Sequence, residues 1–388
     1  MRWHVITGEY PPQRGGVSDY THEVANGLVA AGDQVEVWAP PCYEEINADQ
    51  GIRVHRLPDH FGGRSIAAMQ RGLRLSPETR VLVQFVPHAY GWKAMNLPLC
   101  VWLAARYRKY LSVTFHEVSY PIGKGQSLRH NLLGVITRMM ALTLARSAGD
   151  IIVATPAWEQ LLGRSIAREG KIQWIPVPSN IPVVTDLAGV NAIRSRFAPS
   201  GRPLLGHFGT YGALVADSLM QIFPMVLSES RELPLLLLGR GSEAFRERLV
   251  REHPWTASRT YAFGGLSPGD LSRHIAACDL FVQYYPDGVS CKRGSLMAVL
   301  AHGRSVVTTF GPMTESIWRE SKAVAMAPAD EPAKLVRLVV ELADDEVQRR
   351  QFESAANVLY DERFDIRHTI SALRRSLTRG KDSLSNAG

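Results

Sequence analysis

An α/β protein built from two doubly wound parallel sheets is the fold class this sequence predicts, on three observations. The chain has 388 residues, about enough for two domains of ordinary size. Short apolar strands ending in glycine turns alternate with helical stretches along most of it. That series also starts twice, once at Trp3 to Thr7 and again at Pro203 to Phe208.

The first strand, Trp3-His4-Val5-Ile6-Thr7, runs into a Gly- and Pro-rich loop, Gly8 to Gly16, and then into a helical pattern from Ser18 to Ala31. Gly32 ends that helix and Gln34 to Ala39 reads as the next strand, so the opening residues form one right-handed βαβ crossover. Further strands are expected at Val81 to Val86, Ser112 to His116 and Asp150 to Ala154, with a long amphipathic segment, Leu128 to Ser147, between the last two. Trp174 to Pro182 is rich in proline, Val183 to Ser200 has little periodicity, and together they read as a hinge. After the restart at Pro203, a second glycine turn spans Gly206 to Gly212, and strands are expected at Leu235 to Leu238, Thr260 to Phe263, Leu280 to Gln283 and Ser305 to Thr309. Phe364 to Leu377 reads as a last helix. The expected division is a first domain over 1–182, a linker over 183–200, a second domain over 201–363, a closing helix over 364–380 and a loose polar tail over 381–388.

Composition narrows the function classes. Hydrophobic residues make up 45% and charged residues 21%, which describes a packed globular chain and not a disordered one. Cys42, Cys100, Cys278 and Cys291 lack the short spacings of a zinc site or a small disulfide framework, so free thiols in a reducing compartment are expected. No secretory leader and no apolar run of spanning length is visible, which predicts a cytoplasmic protein. The formal net charge of +7 favours an anionic partner: nucleic acid, a phosphate-rich small molecule or the inner membrane surface. Nucleic acid is disfavoured, because the basic residues are spread out and no nucleic-acid-binding motif is present.

The combination and order of several motifs resemble a known family. The opening GEYPPQRGGVSDYTHEVANGLVAAGDQVEVWAP, then VTFHEV, FGTYG, LLLLGRGSE, AHGRSVVTTFGPMTE and the closing YDERFDIRHTISAL are similar to the GT-B glycosyltransferases of retaining family 4. The resemblance implies two Rossmann-like domains facing a central cleft, an N-terminal acceptor lobe, a C-terminal nucleotide-sugar lobe, and a last helix that returns to the first lobe. It also implies transfer of a hexosyl-type sugar from a UDP- or GDP-sugar with retention, to a sugar, lipid-linked or small-molecule acceptor. No cofactor beyond the nucleotide-sugar co-substrate is expected. No Asp-x-Asp pair that could chelate a divalent ion at a strand end is seen, so metal independence is expected as well.

Candidate residues follow. In the first loop Arg14, Gly15 and Val17 are assigned to the acceptor and Gly16 to the donor, since glycines admit close approach and a helix N-terminus favours negative charge. His116, at the end of the TFH strand, is placed near the transferred sugar by the resemblance. His88 and Tyr90, in VPHAYGW, are acceptor candidates, His88 with strand capping as its alternative. In the second lobe, donor contacts are expected from Gly209, Thr210, Gly239, Arg240, Phe263 and Gly264, with the base against backbone near Phe263 to Leu266.

One departure from the family is marked. Its paired glutamates, eight positions apart, align with Ser290 and Ala298, and no Asp or Glu occurs from Gly288 to Phe310. The Arg and Lys that the family carries after the first strand of the second lobe are also missing from GTYGALVADSL. In their place stand Asp287, Lys292 and Arg293 before a helix that opens near Gly294 and Ser295, and Asp287, Gly294, Ser295 and Leu296 are assigned to the donor. Lys292 and Arg293 are therefore assigned as the cations that stabilise the departing diphosphate, with an ordinary solvated charge pair as the alternative. Glu315, in GPMTE, is assigned either to donor hydroxyls or to capping the next helix. Tyr107 to Tyr110, basic and aromatic, could face a lipid-linked acceptor or membrane surface.

Overall fold

The computed structural model describes residues 1–43, 51–163, 166 and 171–375. Two compact units emerge: Met1–Pro176 together with the chain from Ile366 onward, and Val177–Asp365. Each is a parallel sheet with helices over it.

The first unit contains β1 (Arg2–Thr7), α1 (Gly16–Ala30), β2 (Gln34–Ala39), β3 (Ile52–Arg56), α2 (Gly63–Gly72), β4 (Thr79–Phe85), α3 (Leu97–Tyr107), β5 (Leu111–Phe115), α4 (Leu128–Ser147), β6 (Asp150–Val153), α5 (Pro156–Leu162) and β7 (Ile172–Trp174). Its seven strands run in the order β3-β2-β1-β4-β5-β6-β7. The second unit contains α6 (Leu187–Phe197), β8 (Leu205–Phe208), α7 (Ala213–Glu229), β9 (Leu235–Leu238), α8 (Ser242–Glu252), β10 (Thr260–Phe263), α9 (Pro268–Ala277), β11 (Leu280–Gln283), α10 (Gly294–Ala301), β12 (Ser305–Phe310), α11 (Ile317–Glu320), β13 (Ala325–Pro328), α12 (Pro332–Asp344) and α13 (Glu346–Leu359). Its order is β10-β9-β8-β11-β12-β13.

All sheet pairings are parallel, as in β1 with β2 (Trp3 opposite Val35) and β8 with β11 (Leu205 opposite Leu280). Central strands are covered on both faces, which is why β9 is four consecutive leucines, all buried. The three strands absent from the sequence expectation, β3, β7 and β13, are all at sheet edges. An edge strand pairs on one side only and tolerates charge and proline, as Arg53, Arg56 and Pro328 illustrate.

The stretch 183–200, expected as a linker, instead carries α6. Asp186 accepts from Gly189 N–H at 2.9 Å and from Arg273 Nε at 2.7 Å, and Arg194 reaches Asp279 at 2.9 Å. Only Phe197 of this helix is buried, so it is held by capping and ion pairs and leaves no apolar stripe in the sequence. Trp174 likewise belongs to β7, its Nε1–H donating to the Ala154 carbonyl at 3.2 Å. The closing helix α14 (Ile366–Arg375) packs on α1, and a Cβ at Gly27 would lie 2.7 Å from Ile370, so the glycine permits that approach. Arg374 pairs with the buried Asp33 at 3.3 Å. The expected tail over 381–388 and the closing helix beyond Arg375 lie outside the described residues.

Candidate functional site

In open parallel sheets ligands bind beyond the strand C-termini, where the strand order reverses. Those switch points lie between β1 and β4 in the first unit and between β8 and β11 in the second.

In the first unit the loop after β1 is occupied by its own carboxylate. Glu9 Oε1 accepts the N–H groups of Val17 and Ser18, both at 2.9 Å, which places a negative charge on the positive end of α1. A Cβ on Gly15 would run into the Glu9 carboxylate, so the carboxylate alone already requires a glycine here. Arg56 staples the loop from β3 by donating to the carbonyls of Tyr10, at 3.3 Å, and Pro11. Arg14 and Gly16 remain exposed, and Val17 is half-buried.

His116 follows β5. Its Nε2 lies 2.9 Å from Gln84 Oε1, its ring meets the Tyr20 ring edge-on at 4.8 Å, and its carbonyl accepts from Trp158 Nε1 at 2.9 Å. With Gln84 Oε1 as acceptor the proton is assigned to Nε2, which makes Nδ1 a hydrogen-bond acceptor. Burial lowers the imidazole pKa to about 4, so the ring is neutral near pH 7. His88 is exposed beside Glu117, at 3.8 Å. Tyr90 does not fit its assignment to the acceptor: it is buried, and its hydroxyl donates to the carbonyls of Gln84 at 2.6 Å and Ile6 at 3.4 Å. It braces the loop from within the core. Tyr107 is buried too, so the segment to Tyr110 offers two exposed cations, Arg108 and Lys109, and a half-buried Tyr110.

In the second unit the turns after β8 and β9 touch. A Cβ on Gly239 would lie 2.3 Å from the Gly209 carbonyl, and Gly239 has φ +99°, so no other residue fits there without displacement. Thr210 and Arg240 are exposed beside this contact. The Gly264 N–H donates to Glu243 Oε1 at 2.7 Å, and Phe263 is half-buried with its ring 4.7 Å from that of His274.

The loop from β11 to α10 carries the charge. The Arg293 guanidinium lies 4.6 Å above the Tyr285 ring and pairs with Asp287 at 3.2 Å, while its Nε is buried with no protein partner. The Tyr285 hydroxyl contacts Ser295 Oγ at 3.1 Å and the Leu296 N–H, and burial raises its pKa to about 12. The group nearest the start of α10 is therefore a neutral phenol. Lys292, Gly294 and Ser295 are half-buried around it. Leu296 is fully buried in side chain, so its assignment to the donor does not hold for the side chain. Glu315 neither caps α11 nor stands free. Its carboxylate accepts from Cys291 N–H at 3.2 and 3.1 Å and from Trp318 Nε1 at 3.0 Å, tying two loops together. Ser290 and Ala298, where the paired glutamates would stand, are fully buried.

Four side chains in these loops escaped the sequence reading: Glu9, Gln84, Tyr285 and His207. Gln84 had a signal, a lone amide in the apolar strand VLVQF, and Gln283 repeats it in LFVQ across the second switch point. Both amides are buried with Nε2 unpaired. His207, under the Gly209 turn, gives Nδ1 to the Val282 carbonyl at 2.6 Å and leaves Nε2 buried and unpaired, its pKa lowered by burial to about 4. Among the described residues no group of three or more His, Cys, Asp or Glu is arranged to hold a metal ion, and no helix is long and apolar enough to cross a membrane.

With this geometry established, comparison with known proteins defines the class. The two-sheet architecture is the GT-B fold of glycosyltransferases. Sucrose-phosphate synthase from Thermosynechococcus elongatus superimposes with TM-score 0.71 at 16% identity, covering 99% of each chain. Anabaena HepE, solved with UDP and glucose, gives 0.64 at 15% identity over 97% of this chain and 99% of that one. The UDP-forming α,α-trehalose-phosphate synthase of Burkholderia xenovorans, solved with glucose-6-phosphate, gives 0.67 at 9% identity over 97% and 100%. Within that fold, residues 15–178 match the family model of the glycosyl transferase 4-like domain. No curated protein matches the sequence significantly.

Proposed function

We propose that this chain is a glycosyltransferase that takes a sugar from a nucleoside-diphosphate sugar, with the donor diphosphate held by the second unit and an uncharged hydroxyl acceptor by the first. The observation that carries this reading is the loop from β11 to α10: Arg293 fixed over Tyr285, Lys292 beside it, and a helix start faced by a neutral phenol. Breaking the anomeric C–O bond leaves the electron pair on the diphosphate. A fixed guanidinium aimed at that charge stabilises it more in the transition state than in the ground state. Asp287 holds Arg293 in place until an anion competes for it. His116 is neutral and presents Nδ1 as an acceptor, which suits a sugar hydroxyl and not a phosphate.

Retention of anomeric configuration, use of UDP or GDP, hexosyl transfer and a base site near Phe263 to Leu266 extend this reading from the family resemblance. HepE, solved with UDP and glucose, and the UDP-forming trehalose-phosphate synthase, solved with glucose-6-phosphate, support a UDP-sugar donor and a sugar acceptor as the first pair to try. Metal independence is proposed because cations already face the phosphate position and the described residues offer no metal-ligand cluster.

The test is incubation of the purified chain with a panel of UDP- and GDP-sugars, following release of the nucleoside diphosphate and the fate of the sugar. Transfer or slow hydrolysis supports the proposal. Formation of an epimer would replace it with a nucleotide-sugar epimerase. Tight binding without turnover would make the chain a non-catalytic nucleotide-sugar-binding relative, a reading favoured by one observation, the buried Ser290 and Ala298 in place of the paired carboxylates.

A further inference from the structure

Helix α4 inverts the usual rule for a surface helix. Its inward side buries Gly134, Thr137, Met140, Ala141, Leu144 and Ala145. The opposite side should then be polar. Instead Leu128, Leu132, Val135 and Met139 recur at i, i+4, i+7 and i+11 and stay 89%, 56%, 44% and 49% exposed. They form one apolar line along three turns. Ile122, in the loop before the helix, is also exposed, but it packs toward Gly134 on the inward side and is not part of this line. A buried helix is apolar all round, but this one is not buried.

The charges around the line have one sign. Lys124, Arg129, Arg138 and Arg146 are all exposed, and His130 stands among them. The neighbouring α3 and the turn after it add exposed Val101, Arg106, Arg108 and Lys109. From Thr79 to Gly149 the sequence has nine Lys or Arg and a single acid, Glu117, so this stretch carries +8 while the rest of the chain is close to neutral. Scattered exposed leucines need no explanation. A continuous apolar line on a helix whose own charged side chains are all cationic does.

We propose that the outer side of α4, with the cations of α3, is a docking surface for an anionic lipid bilayer. The leucines, Val135 and Met139 would enter the interfacial region, and the arginines and Lys124 would meet lipid phosphates. The charge pattern selects this occupant over a second copy of the chain, because self-association through this side would press two all-cationic rims together. The surface belongs to the first unit and the proposed diphosphate site to the second, so the proposal stands whether or not the donor reading does.

Vesicle flotation of the full-length chain tests it, with phosphatidylcholine alone and with roughly one-third phosphatidylglycerol. Binding is expected to the anionic vesicles only and to be reversed by high salt, as screening shortens the reach of the charges. Leu132→Ser with Met139→Ser should weaken partition by about tenfold or more, and Arg129→Ala by about fivefold. Val347→Ser, at an exposed apolar position of the second unit, should change nothing, and thermal melts should match the parent because none of these side chains is buried. As a second readout, a polarity-sensitive dye on Leu132→Cys, in a Cys42→Ser background, should shift blue on anionic vesicles. Cys100, Cys278 and Cys291 are buried and should not compete for the label. Equal partition of the double variant, or an unshifted dye, would overturn the proposal. So would a dimer, seen by light scattering, that Met139→Ser dissociates, since that outcome assigns the surface to a second copy.

Discussion

The two units build their switch points from the same parts and fill the helix starts beside them differently. Each places a buried glutamine on the strand across the reversal, Gln84 on β4 and Gln283 on β11. Each also buries one histidine whose pKa falls to about 4, His116 and His207. The helix starts differ. In the first unit Glu9 puts a carboxylate on two N–H groups of α1, which cancels the attraction that helix would have for a phosphate. In the second unit the group at α10 is the neutral Tyr285 hydroxyl, and Arg293 and Lys292 stand beside it. The turn before α1 is thus already filled by a carboxylate, while the loop before α10 carries Lys292 and an Arg293 that is paired with Asp287. The motif names a backbone shape, and the nearest side chain decides what charge it accepts.

The largest expected effect falls on the loop before α10. Arg293→Gln should lower kcat by about 10²–10³ with a smaller change in donor KM, the range for loss of one transition-state donor. Lys292→Ala should act in the same direction. Arg231→Ala, outside these loops, should leave turnover unchanged. Normal steady-state kinetics for both the Arg293 and Lys292 variants would remove this loop from the phosphate site and turn the search to Arg240 and Arg14.

The next effect probes the filled half. Gly15→Ala would push a methyl group against Glu9 and should destabilise the chain by about 2 kcal/mol, as overpacking does. The same substitution in Glu9→Ala should cost much less. Additive losses in chemical denaturation of the two single variants and the double variant would show that Glu9 is not the reason for the glycine.

Acid should expose the shared feature. Burial holds both histidines neutral in the fold, with pKa values near 4, while the unfolded chain takes up their protons near the ordinary value of 6.5. Their contribution is therefore complete above pH 6.5 and is lost as pH falls toward 4, by up to ~1.4 kcal/mol per pH unit for each. Denaturant midpoints measured across that window should fall, and His207→Gln should flatten the slope. A midpoint independent of pH there would contradict the assignment of buried neutral imidazoles.

The smallest expected effect is none. Turnover should persist in excess chelator, because the cations of the second unit are proposed to do what a divalent ion would. Loss of activity, restored by magnesium or manganese, would sharpen the comparison in the other direction by placing a metal where Arg293 was assigned.

Much of the fold was legible because its signals are local. A parallel strand buried on both faces must be apolar throughout, so Leu235–Leu238 identifies itself, and a strand followed by a glycine turn and a helix fixes one crossover. Edge strands β3, β7 and β13 and the cap-held helix α6 carry weaker signals, because a neighbour on one side or an ion pair suffices to hold them. The candidate loops were also legible as places: His116, Arg293 and the Gly209 and Gly239 turns all lie at strand C-termini.

The sequence by itself thus determined the architecture, the positions of the loops and the absence of acids between Gly288 and Phe310. Tertiary structure alone decided which polar groups in those loops were already spent. Glu9 on α1, Glu315 on Cys291 and Trp318, and Tyr90 on the carbonyls of Ile6 and Gln84 are satisfied by partners up to 84 residues away. Apolar periodicity is written in neighbouring residues, because the backbone geometry of one strand or helix creates it. A hydrogen bond between loops is written nowhere in either loop, because only the packing of the sheet brings donor and acceptor within 3 Å of each other.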